Sequence, residues 1–512
     1  MALPQLELLT RPVEIRSSTV SVGWARIAAE QQLRVLDLFS GCGGLSLGFQ
    51  RAGFEIIGGV ESDSLAAKTY AAILHRDDRE ALRELAGRPR DIRSISPRDL
   101  LREFGFNDWK SAVDVLVGGP PCQAYARVGR AKLREIRKHP DAFSLDERGG
   151  LYLHYLEYVR ELRPLALLLE NVPDILSYGS RNVVKEIGVL LGNLGYRVNL
   201  GVLNAASYGV PQIRRRVYLI ALHEELERFP SFPLPTHEVG RLAPGYREFA
   251  ALAASLRHGD TPFSGPAPEL AGETREILPP AVTVGEAISD LPVVRGHLDG
   301  SMRRGRRRFD ESLPYASPPR SSFAREMREG WPGLEAGDGV RDQVIRLLPR
   351  DHPIFARMKP GDEYPAARRI AQQLFENELD RARARGEQVD EGTAAREALK
   401  RRIVPPYDPG KFPNKWCKMD PDSPARTLLA HLAHDCYTHI HYDDIQARTL
   451  SVREAARLQS FPDGFRFCGG MNPAFRMIGN AVPPLMAFRL AAHLRAEIRS
   501  AARELVAVSP ME

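Results

Sequence analysis

The run Val35-Leu36-Asp37-Leu38-Phe39-Ser40-Gly41-Cys42-Gly43-Gly44-Leu45 constrains this chain more than any other stretch, because an apolar strand passes through a glycine turn directly into a helix. Glycines at such a turn let the backbone approach a ligand closely at the carboxyl end of a strand. The same punctuation recurs downstream. Short apolar runs predict strands over residues 35–39, 56–61, 113–118, 165–170 and 217–221. Amphipathic stretches predict helices over 45–52, 65–75, 151–162 and 182–194, the last closed by Gly195. Strands alternating with helices in this order predict an α/β fold of the doubly wound, nucleotide-binding kind.

The glycine turn gains meaning from Glu61, which ends the second strand 24 positions after Asp37. An acid there can grip both hydroxyls of a ribose. No Gly-Lys-Ser or Gly-Lys-Thr element accompanies the turn, so a nucleoside without a phosphate cradle suits it better than a nucleoside triphosphate. Asp91, followed by Ile92 after a polar loop, could accept from an adenine amino group, although a lone Asp is ordinarily a turn or cap.

A second cluster bears on chemistry. Gly118-Gly119-Pro120-Pro121-Cys122-Gln123 carries a cysteine off the end of a buried strand on a rigid turn. Such a thiol is a candidate nucleophile when its surroundings favour the thiolate, and an inert core residue otherwise. Glu170-Asn171-Val172 ends another strand, and Gln212-Ile213-Arg214-Arg215-Arg216 leads into the next. All three could converge on one edge of the sheet, yet each has an ordinary reading as a strand-end acid or a solvated basic edge.

At 512 residues the chain exceeds what one core usually organises, so two or three domains are expected. A net charge of +6 is compatible with a polyanionic partner but decides little over this length. No apolar run is long enough to span a bilayer, and the five scattered cysteines lack CxxC pairing, which fits a reducing compartment and argues against secretion. Beyond His223 recurrent prolines predict a second, irregular domain, with a solvated helical insertion over 365–402. Ser451 and Glu454 form a capping-box signature for a helix through Gln459, and a last helix follows Pro484. His431, His434, Cys436, His439 and His441 match no paired metal-ligand spacing, so strand alternation is expected there and no metal.

Taken in order, Asp37 to Leu45, Gly118 to Gln123, Glu170 to Val172, Gln212 to Arg216, Arg448 to Asp463 and Gly479-Asn480-Ala481-Val482-Pro483-Pro484 resemble the motifs of the DNA (cytosine-5)-methyltransferase family. The likeness covers roughly residues 33–222 and 424–494. It implies a Rossmann-like S-adenosylmethionine-dependent methyltransferase domain with a mixed, mainly parallel sheet, plus a smaller irregular target-recognition domain. It places Phe39, Gly41, Gly43, Leu45, Glu61, Asp91, Ile92, Pro120, Asn480 and Val482 around S-adenosyl-L-methionine. Cys122 is then the nucleophile, helped by Glu170, Arg214 and Arg216, acting on a base flipped out of duplex DNA.

The domain boundaries expected are an extension over 1–30, a catalytic domain over 31–222 and 424–500, a target-recognition domain with insertions over 223–423, and a tail over 501–512. The family commonly continues Gly-Phe-Ser after the cysteine motif, whereas this chain has Ala124-Tyr125-Ala126, which puts one local contact in doubt. The basic loop that follows, with Arg127, Arg130, Lys132, Arg134, Arg137 and Lys138, is expected to reach DNA phosphates, and the run 303–308 is either a backbone grip or a solvated charge run. Double-stranded DNA is the implied partner, with restriction or other antiphage defence proteins beside it, no membrane, and a cytoplasmic, nucleoid-associated location. Two alternatives remain: a tRNA cytosine-5 methyltransferase, and a catalytically silent DNA-binding regulator.

Overall fold

In the computed structural model, residues 18–76, 80–121, 150–177, 183–240, 256, 262–263, 265–268, 277–302 and 310–508 are described. The chain divides into two compact units: Met1–Ala281 with Arg466–Cys468 and Ala481–Glu512, and Val282–Phe465 with Gly469–Asn480.

The first unit is built on six strands, β1 (Arg34–Leu38), β2 (Glu55–Val60), β3 (Val115–Gly118), β4 (Ala166–Asn171), β5 (Tyr196–Asn204) and β6 (Arg215–His223), in the order β2-β1-β3-β4-β6-β5. β1 pairs in parallel with β2 and β3, and β3 with β4, whereas β6 runs antiparallel to both β4 and β5. The sheet is therefore mixed and mainly parallel. Its central strands are apolar along their whole length because both faces are covered: Val35, Leu36, Val115, Leu116 and Leu167 are fully buried. Helices Gly44–Arg51, Ser64–Leu74, Leu151–Leu162 and Val183–Asn193 fall where the sequence places them, within a residue at either end.

β5 is the strand the sequence does not announce. Asn199 and Gly201 interrupt its apolar pattern, and both are poor strand formers. Tertiary contacts explain them. The buried Asn199 amide donates to the carbonyls of Pro230 and Pro266, at 2.8 and 2.9 Å. A Cβ on Gly201 would sit 2.9 Å from Phe232 and Pro268. Gly48 is likewise required by a close approach, since a Cβ there would stand 2.4 Å from the backbone nitrogen of Phe488 in the closing helix Pro484–Val508.

The second unit is mostly helix and loop, with two strands of two residues each, Leu313–Pro314 and Gly339–Val340. The capping box of Ser451 and Glu454 forms and opens the helix Val452–Leu458. The insertion corrects the sequence reading. Its helix Tyr364–Ala384 is not merely solvated: Tyr364, Ala367 and Ala371 join a core with Phe355, Trp416 and Tyr437, and Phe375 and Leu379 a second one with Val389 and Val404. Trp416 and Tyr437 stack with ring centroids 4.6 Å apart. Alanines form much of this face, which is why its burial is hard to read from hydrophobicity alone. Ile440 does make isolated bridges with Lys418 and Thr449, and the flanking His439 and His441 are buried. Among the described residues no helix is long and apolar enough to cross a membrane.

Candidate active site

The carboxyl ends of β1, β2, β3 and β4 lie side by side, so whatever leaves those ends shares one edge of the first unit. From β1 the chain turns sharply: Phe39, Gly41 and Gly43 all have left-handed backbone, with φ of 62°, 57° and 90°. Gly43 also lies so close to Leu74 that a Cβ would stand 2.8 Å from its Cδ1, whereas a Cβ on Gly41 would meet nothing within 4 Å. Open space therefore faces the turn at Gly41. Glu61 holds this geometry, accepting from the backbone N–H of Gly41 at 2.9 Å and of Asp63 at 2.7 Å. Leu45 is buried in the first turn of the following helix.

The carbonyl of Glu61 accepts from the N–H of Arg90 at 2.7 Å, which brings the next residue, Asp91, to the end of β2. Asp91 is paired with Arg93 at 2.6 Å on the surface, and hydrogen bonds from Arg93 hold its carboxyl below the usual range. Ile92 is buried beside it.

Beneath the turn lies a group the sequence reading missed. The hydroxyl of Ser46 donates to Asp37 at 2.5 Å, and the Tyr70 hydroxyl stands 3.4 Å from the same oxygen. Burial pushes the Asp37 carboxyl up to about 7, with the Ser46 hydrogen bond opposing and the charge of Glu61 adding. Burial also raises Glu61. An acid whose pKa rises on folding favours the folded state fully below its unfolded value near 3.8 and loses that contribution as pH climbs to about 7. Replacing Asp37 with Asn should remove this decline, which has a limiting slope of about 1.4 kcal/mol per pH unit. Urea unfolding from pH 4 to 8 checks it, and parallel stability curves for the two proteins would refute it.

At the neighbouring strand ends, Glu170 and Arg216 form an ion pair, Nε to Oε1 at 2.9 Å, with both side chains 12% exposed. A Cβ on Gly119 would lie 3.2 Å from Glu170 Oε2, so that glycine makes room for the acid. Asn171 donates to the carbonyl of Pro120 at 3.2 Å and fixes the turn. The backbone of 119–121 thus runs past the carboxylate. Cys122 is the next residue and lies outside the described residues, as does the basic loop from Arg127 to Lys138; the run 303–308 does too.

Arg214 is buried and donates to the carbonyl of Ala481 at 2.9 Å, which ties the start of β6 to the segment carrying Val482. Asn480 ends the helix Met471–Asn480 of the second unit. Of the described cysteines, Cys42, Cys417 and Cys436 are buried and their thiols are raised by that burial, Cys42 to about 12. Among the described residues no group of three or more His, Cys, Asp and Glu side chains is placed to hold a metal ion.

The family model of C-5 cytosine-specific DNA methylases matches residues 33–258 and 361–496. A chain of Oceanobacillus iheyensis named as a candidate type II methyltransferase is 37% identical over 91% of this chain and 96% of its own length. The type II methyltransferase M.AgeI of Thalassovita gelatinovora is 32% identical, over 91% of this chain and all of its own. Among solved structures, a candidate DNA modification methyltransferase encoded in an E. coli prophage superposes with a TM-score of 0.56 at 22% identity, covering 91% of this chain and 99% of the other. That last likeness concerns the fold.

Proposed function

This chain belongs to the C-5 cytosine-specific DNA methylase family, and from that premise we propose that it methylates C5 of a cytosine turned out of a specific duplex sequence, drawing the methyl group from S-adenosyl-L-methionine. The cofactor supplies an electrophilic methyl on a sulfonium, and the residues present suit it: open space at Gly41, Glu61 at the end of β2 for the ribose, and Asp91 one residue beyond a backbone tie to Glu61. Phe39, Gly43, Leu45, Ile92, Pro120, Asn480 and Val482 complete the proposed cofactor surroundings.

The reaction needs a nucleophile, because cytosine C5 is too electron-poor to take a methyl unaided. Cys122 adds to C6, Glu170 donates a proton at N3, and electron density moves to C5. Arg216 orients Glu170 and contacts O2, and Arg214 holds the strand that carries Arg216. After transfer the C5 proton passes to water, the bond from Cys122 to C6 breaks with its electron pair returning to sulfur, the proton at N3 returns to Glu170, and the ring regains aromaticity. The observation that carries this reading is the Glu170–Arg216 pair lying beside Gly119, three residues before the cysteine. We assign target recognition to residues 223–423, and marking of host DNA alongside a restriction or other defence system to the whole protein. Such a role places it with the nucleoid in the cytoplasm.

Incubation with labelled S-adenosylmethionine and varied duplex DNA, with tRNA in parallel and bisulfite sequencing of the product, tests the proposal. Label in DNA cytosine is expected. Label confined to tRNA would move the substrate, and tight DNA binding without label in any duplex would favour the silent regulator.

A further inference from the structure

In the second unit, the helices Tyr364–Ala384 and Ala394–Ile403 and the segment around 349–357 border an open groove of about 700 Å³. Leu374, Asn377, Glu378 and Arg381 recur at helical spacing and form one wall. Five arginines line it, Arg350, Arg357, Arg381, Arg401 and Arg402, against Glu378 as the one acid of the lining. The two helices and their connection, residues 364–403, carry nine basic and seven acidic side chains, so their charge is nearly balanced. The groove is not. Its cations have been gathered on one side.

Two of them are held by acids: Arg350 by Asp351 at 2.6 Å, and Arg381 by Glu378 at 3.4 Å. Arg357 donates to the carbonyl of Pro353 at 2.7 Å, and among the described residues no carboxylate lies within 4.0 Å of Arg357, Arg401 or Arg402. A basic last turn is ordinarily favoured by the helix macrodipole, which accounts for Arg401 and Arg402 on their own helix. It does not account for arginines from two other segments converging on them. The lining is also too exposed for a small buried ligand, since the Arg381 side chain is 74% accessible. A repeating polyanion can engage several separated guanidinium groups at once and needs no enclosing apolar wall.

We propose that this groove docks the phosphate backbone of duplex DNA, a contact that positions the duplex and reads no bases. The inference rests on the DNA substrate proposed above. Each phosphate contact contributes about 0.9 to the slope of log affinity against log salt. The triple variant Arg357→Gln/Arg401→Gln/Arg402→Gln should therefore bind more weakly and lower that slope by about 2–3, equally on target and non-target duplexes. Glu378→Gln, which removes the acid from the lining, should steepen it and gives an independent reading if the triple variant folds poorly.

The experiment measures DNA affinity of the full chain between about 50 and 200 mM salt, with Arg369→Gln/Arg383→Gln/Arg385→Gln, outside the lining, as the charge-matched control. A reduced slope in the groove variant with a smaller change in the control supports the proposal. Equal losses in both, or no change in the groove variant and in Glu378→Gln, overturn it and leave the methyltransferase reading intact. Wild-type protein that binds no duplex at all overturns both.

Discussion

Replacing Cys122 with alanine is expected to lower methyl transfer at least about 10⁴-fold, because the proposed addition to C6 then lacks its nucleophile. The thiols of Cys42, Cys417 and Cys436 are buried and raised, so they offer no thiolate near neutral pH. Glu170→Gln should follow at about 10²–10⁴-fold, since it removes the proton donor while the amide keeps the shape beside Gly119. Combining the two should cost little more than Cys122→Ala alone, because both act on one step. Single-turnover transfer with saturating cofactor and DNA is the measurement. A Cys122→Ala protein that keeps a tenth of the wild-type rate would remove the thiol from the mechanism.

The largest effect on stability is expected at Arg457. Its guanidinium and both of its partners are fully buried: it bonds Asp290 at 2.7 Å and Asp463 at 2.5 Å, and Asp463 also accepts from the Tyr315 hydroxyl at 2.7 Å. Arg457→Met would fill much of the volume yet leave Asp463 without a counter-charge and Asp290 with Arg328 alone in a dry interior, which costs about 3–5 kcal/mol. Neighbouring pairs follow the same design. Burial alone would raise Glu454, but Arg448 at 2.6 Å and then His441 bring its carboxyl far below the usual range. His441 is itself lowered by burial and by Arg448, so the arginine carries the charge of that pair. Urea unfolding of Arg457→Met against wild type decides the matter, and a loss below about 1 kcal/mol would mean that the carboxylates are neutralised or rehydrated at little cost.

These two predictions draw on different sources, and the difference shows what was legible. The proposed nucleophile, the strand-end acid and the glycine turn stand out in the sequence because each is a local pattern with a chemical reason: turn residues at a strand end, an acid closing the next strand, a cysteine on a proline turn. The capping box at Ser451 is equally local, and it forms as read. The helices Gly44–Arg51, Ser64–Leu74, Leu151–Leu162 and Val183–Asn193 were readable for the same reason, since their apolar periodicity requires no knowledge of a partner, whereas the helices Ser18–Ala28, Glu80–Ala86 and Pro97–Glu103 were not read.

What the sequence hides is whatever depends on groups far apart in the chain. β5 is a strand because Asn199 finds the carbonyls of Pro230 and Pro266 and Gly201 admits Phe232; no local propensity announces it. The helix Val452–Leu458 is legible in the sequence but the partners of its arginines are not: Asp290 and Asp342, more than a hundred residues away, lie beside Arg457 and Arg453. Ser46 carries no signal of its own and matters through Asp37 and Tyr70 beneath the turn. The sequence by itself thus determined the α/β order, the turn at Gly41 and the chemical type of each group at the strand ends, because backbone preference and side-chain chemistry are local. Only the tertiary structure decided that Glu170 pairs with Arg216, that the helix Tyr364–Ala384 belongs to a core, and that five arginines share one groove, because those depend on which surfaces meet once the chain has packed.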